Sequence, residues 1–159
     1  MENSARSAID IMDREMIFKL LAQLQPDSIA RFGIMSAQHM IEHLALAVRY
    51  GNGREPQELQ YRQEKADKIK FYVINTDNEI QAGFKSPTLP LDDLLPLKHL
   101  DLGSAIENLR LELKLFDEYF KANPESRPVN PTMGVLTHEE WIIFQNKHIT
   151  HHFKQFGLL

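Results

Sequence analysis

The chain has 159 residues, of which 43% are hydrophobic and 25% charged, and its formal net charge is −4. That length suits one domain, spanning 1–159, with a real core. A net negative charge without a basic stripe excludes a nucleic-acid footprint. The absence of cysteine excludes disulfides, thiolate ligands and a cysteine nucleophile. Any metal must then be held by histidine, carboxylate, carbonyl or water. No apolar run approaches the roughly 18 residues of a membrane span. The stretch Met1 to Phe18 mixes charges into its apolar positions, unlike a signal peptide. The expectation is a cytoplasmic protein without a membrane partner.

Four segments carry helical periodicity. The first places Ile9, Met12, Met16, Ile17, Leu20 and Leu24 on one face, and Pro26 ends it. The second starts near Ser36, a good N-cap residue. It carries Met40, Ile41, Leu44, Ala47 and Val48, and it stops at Gly51, read as a C′ glycine. The third begins at Ser104, with Glu107 three residues on, as in a capping box. Its apolar face is Ile106, Leu109, Leu113, Phe116 and Phe120, and Pro124 lies beyond its end. The fourth begins at Thr137, with Glu140 completing a second capping box. It runs through Trp141, Phe144, His148, His152 and Phe156.

Residues 52–103, between the second and third predicted helices, read as irregular. The stretch Arg62 to Lys70 is highly charged, and Phe71 to Ile74 is either a short strand or one apolar turn. Ser86 to Leu91 reads as extended, since Pro87 and Pro90 each bias their predecessor away from helix. Structureless loops of that length are uncommon inside compact domains. The segment is therefore a lid over a pocket or a long crossover. A second linker, Asn123 to Leu136, contains Pro124, Pro128 and Pro131. The elements predict an all-α fold, an antiparallel four-helix bundle with one long crossover between helices two and three.

Seven histidines are present, and two pairs have i, i+4 spacing: His39/His43 and His148/His152. Such spacing stacks two side chains on one helical face, about 5–6 Å apart at Cβ, so that both imidazoles can converge on one metal ion. Random placement would give roughly 0.3 such pairs, so helical phase must decide. His148 continues the stripe of Trp141 and Phe144, and His152 continues it toward Phe156. Burying imidazoles there is costly unless they are hydrogen-bonded or metallated. A third ligand must come from a neighbouring helix. His43 fits best, since it adjoins Leu44 and shares a face with Ala47. His39, one turn earlier, either lines the entrance or supplies a fourth ligand. His151 reads as an edge residue supporting the site, and His99 and His138 read as exposed. Gln145, Gln155, Glu42, Glu112 and Tyr119 are candidates to orient the ligands, although Glu42 and Glu112 read better as solvated charges.

Two strings carry a family resemblance. Phe32-Gly33-Ile34-Met35-Ser36-Ala37-Gln38-His39-Met40-Ile41-Glu42-His43-Leu44 resembles the second helix of the DinB/YfiT-like superfamily. Gly134-Val135-Leu136-Thr137-His138-Glu139-Glu140-Trp141, followed by Lys147-His148-Ile149-Thr150-His151-His152-Phe153-Lys154-Gln155-Phe156-Gly157, resembles an uncharacterised branch of it. The resemblance implies a metal triad of His43, His148 and His152, a four-helix bundle with a long second connection, and a homodimer. It departs at Asn130-Pro131-Thr132-Met133, where the family commonly has a proline-aromatic or His-Pro pair, and at His39, where the family usually has no histidine.

Three neutral imidazoles leave at least one open position on a divalent metal, as in catalytic sites. Zinc, nickel, iron and copper all suit imidazole, with zinc or nickel favoured here. The resemblance implies a metal-dependent enzyme, a thiol-dependent S-transferase or a hydrolase. Its substrate would be a small molecule, with a low-molecular-weight thiol as partner. The alternatives are a non-catalytic metal-binding or stress-associated bundle, and a helical module whose histidines are satisfied by hydrogen bonds alone.

Overall fold

The computed structural model describes residues 8–84, 86–90 and 93–159. The reading of residues 1–7 and of Leu91 lies outside them. The described chain is mostly helical: α1 (Arg14–Leu21), α2 (Ala37–Gly51), α3 (Gln63–Ile74), α4 (Leu102–Ala122) and α5 (His138–Gln155), with a small ribbon of β1 (Val129–Asn130) and β2 (Gly134–Val135). The ribbon is antiparallel, pairing Val129 with Val135 and Asn130 with Gly134. No helix among the described residues is long and apolar enough to cross a membrane.

Local chemistry sets the helix starts. Ser36 caps α2 by accepting from the His39 amide. Thr137 and Glu140 form the expected capping box of α5. The third predicted helix starts earlier than its sequence suggests. Asp101, not Ser104, caps α4, its carboxylate accepting from the Ser104 amide, and Glu107 pairs instead with Arg110. The first predicted helix is shorter, because Asp13 caps α1. Before it, Ile9 and Ile11 enter the core on either side of exposed Asp10, with Ile11 in a turn closed by the Asp13 amide on the Asp10 carbonyl. The Ile9 and Ile11 amides donate to Thr150 Oγ1 and Asn146 Oδ1, each at 2.8 Å. Met12, beside Ile11 in that turn, is 60% exposed rather than on the apolar face.

The segment 52–103 is not wholly irregular. The charged stretch and Phe71 to Ile74 belong to one helix, α3, held by a narrow stripe of Ala66, Ile69 and Val73. Lys147 of α5 fastens its C-terminal end by donating to the Val73 and Thr76 carbonyls, each at 2.6 Å. Residues Ser86 to Leu89 form a turn closed by the Leu89 amide on the Ser86 carbonyl, not the extended run expected. Proline at the second position of such a turn has its φ pre-set.

Directions follow from the contacts. Gln38 of α2 donates to the His99 carbonyl just before α4, and Asn52 just after α2 donates to Glu112 in the middle of α4. Thus α2 and α4 run in the same direction, where the sequence reading expects antiparallel neighbours; the long crossover makes this geometry available. Helix α5 runs antiparallel to α2. Glu112 is fully buried rather than solvated, with Asn52 Nδ2 at 2.8 Å from Oε2 and Arg54 Nε at 3.2 Å from Oε1.

The α2–α5 register rests on one close approach. The fully buried Trp141 indole donates through Nε1 to the Pro128 carbonyl at 3.1 Å. Its ring then lies flush on Gly51, where an added Cβ would sit 2.8 Å from Cε3. Gly51 is the last residue of α2 and not its C′ glycine; the left-handed residue is Gly53, at φ +78°. One turn along, Gln145 Nε2 donates to the Ala47 carbonyl at 3.0 Å.

Gly51→Ala is therefore expected to destabilise the protein by about 1–3 kcal/mol through overpacking. Helix propensity alone predicts the opposite sign, by about 1 kcal/mol. Thermal denaturation of the variant decides between them.

Candidate metal centre

One further turn along the α2–α5 seam, His43 meets His148 and His152. The Nε2 atoms of His43 and His148 are 2.9 Å apart. One ring nitrogen from each of the three side chains lies within 4.8 Å of the others. All three ring centroids are 4.8 Å from one another, at near-perpendicular angles. His148 and His152 are buried, whereas His43 keeps an edge open to a cavity.

The tautomer of His152 follows from its neighbour. Gln155 Nε2 donates to the Phe32 carbonyl at 2.9 Å, which turns Gln155 Oε1 toward His152 Nδ1 at 2.7 Å. An amide oxygen only accepts, so His152 Nδ1 carries the proton and Nε2 offers a lone pair to the cluster. The His148 ring is held differently, stacked on Phe144 at 5.3 Å and 14°. The Nδ1 atoms of His43 and His148 are buried without a hydrogen-bond partner.

Burial keeps these imidazoles neutral. Desolvation pushes His43 down to about 4, with repulsion from His151 a smaller cause. Desolvation also holds His148 well below the usual histidine range, with His43 and His152 adding to it. His152 is lowered by desolvation and His43, partly offset by the Gln155 hydrogen bond. Neutral imidazole is the form that binds a metal. A tetrahedral ion with Zn–N bonds of 2.0–2.1 Å would separate its nitrogens by about 3.3 Å. The His43 and His148 nitrogens, 2.9 Å apart, are close to that spacing, and all three donors lie within 4.8 Å of one another. The three side chains can hold a metal ion.

The remaining predicted residues fall around this cluster. His39 is half-buried and lines the same cavity, its Nδ1 2.6 Å from Ser36 Oγ. It stands outside the group of three. His151 is half-buried, with Nδ1 3.1 Å from the Ile80 carbonyl and its ring against Phe32. His138 is not exposed as its sequence position suggests; it stacks on Phe120 at 4.3 Å. His99 is half-buried and borders the cavity. Of the candidate orienting residues, only Gln155 touches a ligand. Gln145 bonds the α2 backbone, Tyr119 bonds Ser126, and Glu42 accepts from the Lys98 amide and Gln38.

The cavity has a volume of about 270 Å³. The crossover covers the histidines: Ile80, Phe84, Leu89, Leu94 and Leu97 all line the cavity with them. The 52–103 segment, read as either a lid or a long crossover, thus forms one wall of the cavity. The turn at Asn130–Thr132 closes another side.

No family model, curated protein or solved structure matches the chain.

Gln155→Leu removes the acceptor that orients His152 and is expected to weaken zinc binding about 10- to 100-fold. Gln155→Glu keeps an acceptor for His152 but loses the donor to the Phe32 carbonyl, so it recovers only part of the affinity; competition with a chromophoric chelator measures both. A second expectation concerns the chelator-treated protein. Unfolded histidine titrates near 6.5, whereas folded His43 titrates near 4. Between those values the unfolded chain binds more protons than the folded one. Stability is therefore full above about pH 6.5 and falls as pH drops toward 4, by up to about 1.4 kcal/mol per pH unit for each buried histidine. Urea unfolding across that range checks the slope.

Proposed function

We propose that this chain is a metal-dependent enzyme, a single bundle domain of the DinB/YfiT-like type. It would use His43, His148 and His152 to hold a divalent metal, zinc or nickel. The reaction is transfer of a low-molecular-weight thiol to a small electrophilic substrate, with hydrolysis as the related chemistry of the same site. The observation that carries this reading is the convergence of three neutral imidazoles on a cavity wall open to ligand.

Three protein ligands with an open face suit catalysis rather than a closed structural site. When bound there, a divalent metal lowers the pKa of a coordinated water or thiol. The chain's own residues supply the rest. Gln155 fixes the His152 tautomer, and Phe144 fixes the plane of His148. The crossover restricts water at the cluster, which strengthens electrostatic interactions inside it. His39 presents a ring at the cavity margin, where Ser36 orients it.

One observation favours a second, non-catalytic reading. The 2.9 Å separation of His43 and His148 is also that of a direct imidazole–imidazole hydrogen bond. In that reading the histidines stabilise a helical bundle, with or without metal.

Elemental analysis of untagged protein and thiol-transfer assays separate the two. Zinc- or nickel-loaded protein is expected to couple a low-molecular-weight thiol to monochlorobimane or fosfomycin. His148→Ala should lose both stoichiometric metal and turnover. Metal retained without transfer to any electrophile across a panel of thiols supports the non-catalytic reading. Protein that binds no metal at all sinks the first reading.

A further inference from the structure

The cavity beside the histidines differs in character from wall to wall. Its volume of about 270 Å³ sits just below the roughly 300–1,000 Å³ of pockets that enclose drug-sized ligands. The histidines offer polar nitrogen on one side. Leu46 of α2 and Phe84, Leu94, Leu95 and Leu97 of the crossover offer hydrocarbon elsewhere. Three of these are large apolar side chains left substantially in water: Phe84 is 53% exposed, Leu95 38% and Leu97 45%. Exposed apolar surface gathered around a concave site marks a place where ligand is covered.

The charged lining points the same way. Among the described residues it comprises Glu42, Arg49, Asp93 and Lys98, two of each sign. Arg49 Nε is held by Glu55 at 3.0 Å, and the Glu42 carboxylate accepts from the Lys98 amide at 2.6 Å. Among the described residues, no free cationic cluster of the kind that recognises phosphate groups lines the cavity.

We propose that the molecule taken at this site joins a metal-seeking head, seated at the three histidines, to an apolar body such as a medium alkyl or aryl group that lies against the crossover. This deepens the metal-enzyme reading and rests on it. The head supplies what the open position needs. The body covers Phe84, Leu95 and Leu97, so its hydrophobic area sets affinity and selectivity. A polyanionic or sugar-like substrate would leave that wall unmatched.

A series of alkanethiols tests this on the cobalt(II)-loaded full chain, read by thiolate-to-cobalt charge-transfer absorption. From ethanethiol to octanethiol, affinity is expected to tighten by up to about fourfold per methylene buried, then level off as the cavity fills. Leu97→Asp should flatten the dependence. Leu111→Asp, an exposed α4 position outside the cavity lining, should leave the slope unchanged. Thiols that bind cobalt equally well at every chain length overturn the proposal while leaving the metal reading standing. Protein that takes up no cobalt overturns the metal reading instead. Calorimetry of octanol against ethanol on the metal-free protein then decides the apolar wall by itself: octanol binding that Leu97→Asp abolishes supports it, and no octanol binding overturns it.

Discussion

The fold and its candidate site depend on one close contact, the Trp141 indole lying on Gly51 where α2 and α5 cross. A side chain at position 51 would hold the helices apart. With hydrogen there, the ring seats flat, and its Nε1 bond to Pro128 fixes its orientation. Antiparallel helices in contact share a register, so one contact sets the next ones along the seam. Gln145 reaches the Ala47 carbonyl, and His43 reaches His148 and His152. A one-turn slip, about 5.4 Å, would separate the histidines.

Burial then decides the chemical state of the three imidazoles. Their proton affinity falls because a charged ring in a poorly solvated site is costly. The site therefore presents lone pairs at neutral pH. The support is uneven. His152 has its outer nitrogen tied through Gln155 to the backbone at Phe32, so the entry of α5 into its last turn and the loop before α2 are joined at the site. His148 relies on ring stacking with Phe144, and His43 on its place in α2. That asymmetry makes Gln155 the residue through which the loop before α2 acts on the cluster.

The crossover has two roles. Its length lets α2 and α4 run in the same direction, with Gln38 and Glu42 anchoring its end at His99 and Lys98. Its middle forms the apolar wall of the cavity. Helix α3 braces the first part of it against α5 through Lys147 and through the Lys70–Glu140 pair at 3.2 Å. Glu140 thus both caps α5 and receives α3, so the start of the histidine-bearing helix is fixed from two sides.

Much of this was legible in the sequence. Short-range rules located α2 and α5, because Ser36 and the Thr137/Glu140 box act within one helical turn. Spacing and helical phase put His148 and His152 on one inward face. Helix α3 was harder, since its stripe of Ala66, Ile69 and Val73 is narrow and its remaining surface charged. Other features were decided only by the tertiary structure, because their causes are distant along the chain. Ile9 and Ile11 are held outside a helix by Thr150 and Asn146, which accept from their amides. Glu112 is buried because Asn52 and Arg54 come to it. His138 finds Phe120 across the helix pair. Periodicity determined that His148 and His152 share the inward face of α5. Only the packing of α5 on Gly51 decided that His43 meets the other two, since register between helices is set by the side-chain volumes at their crossing.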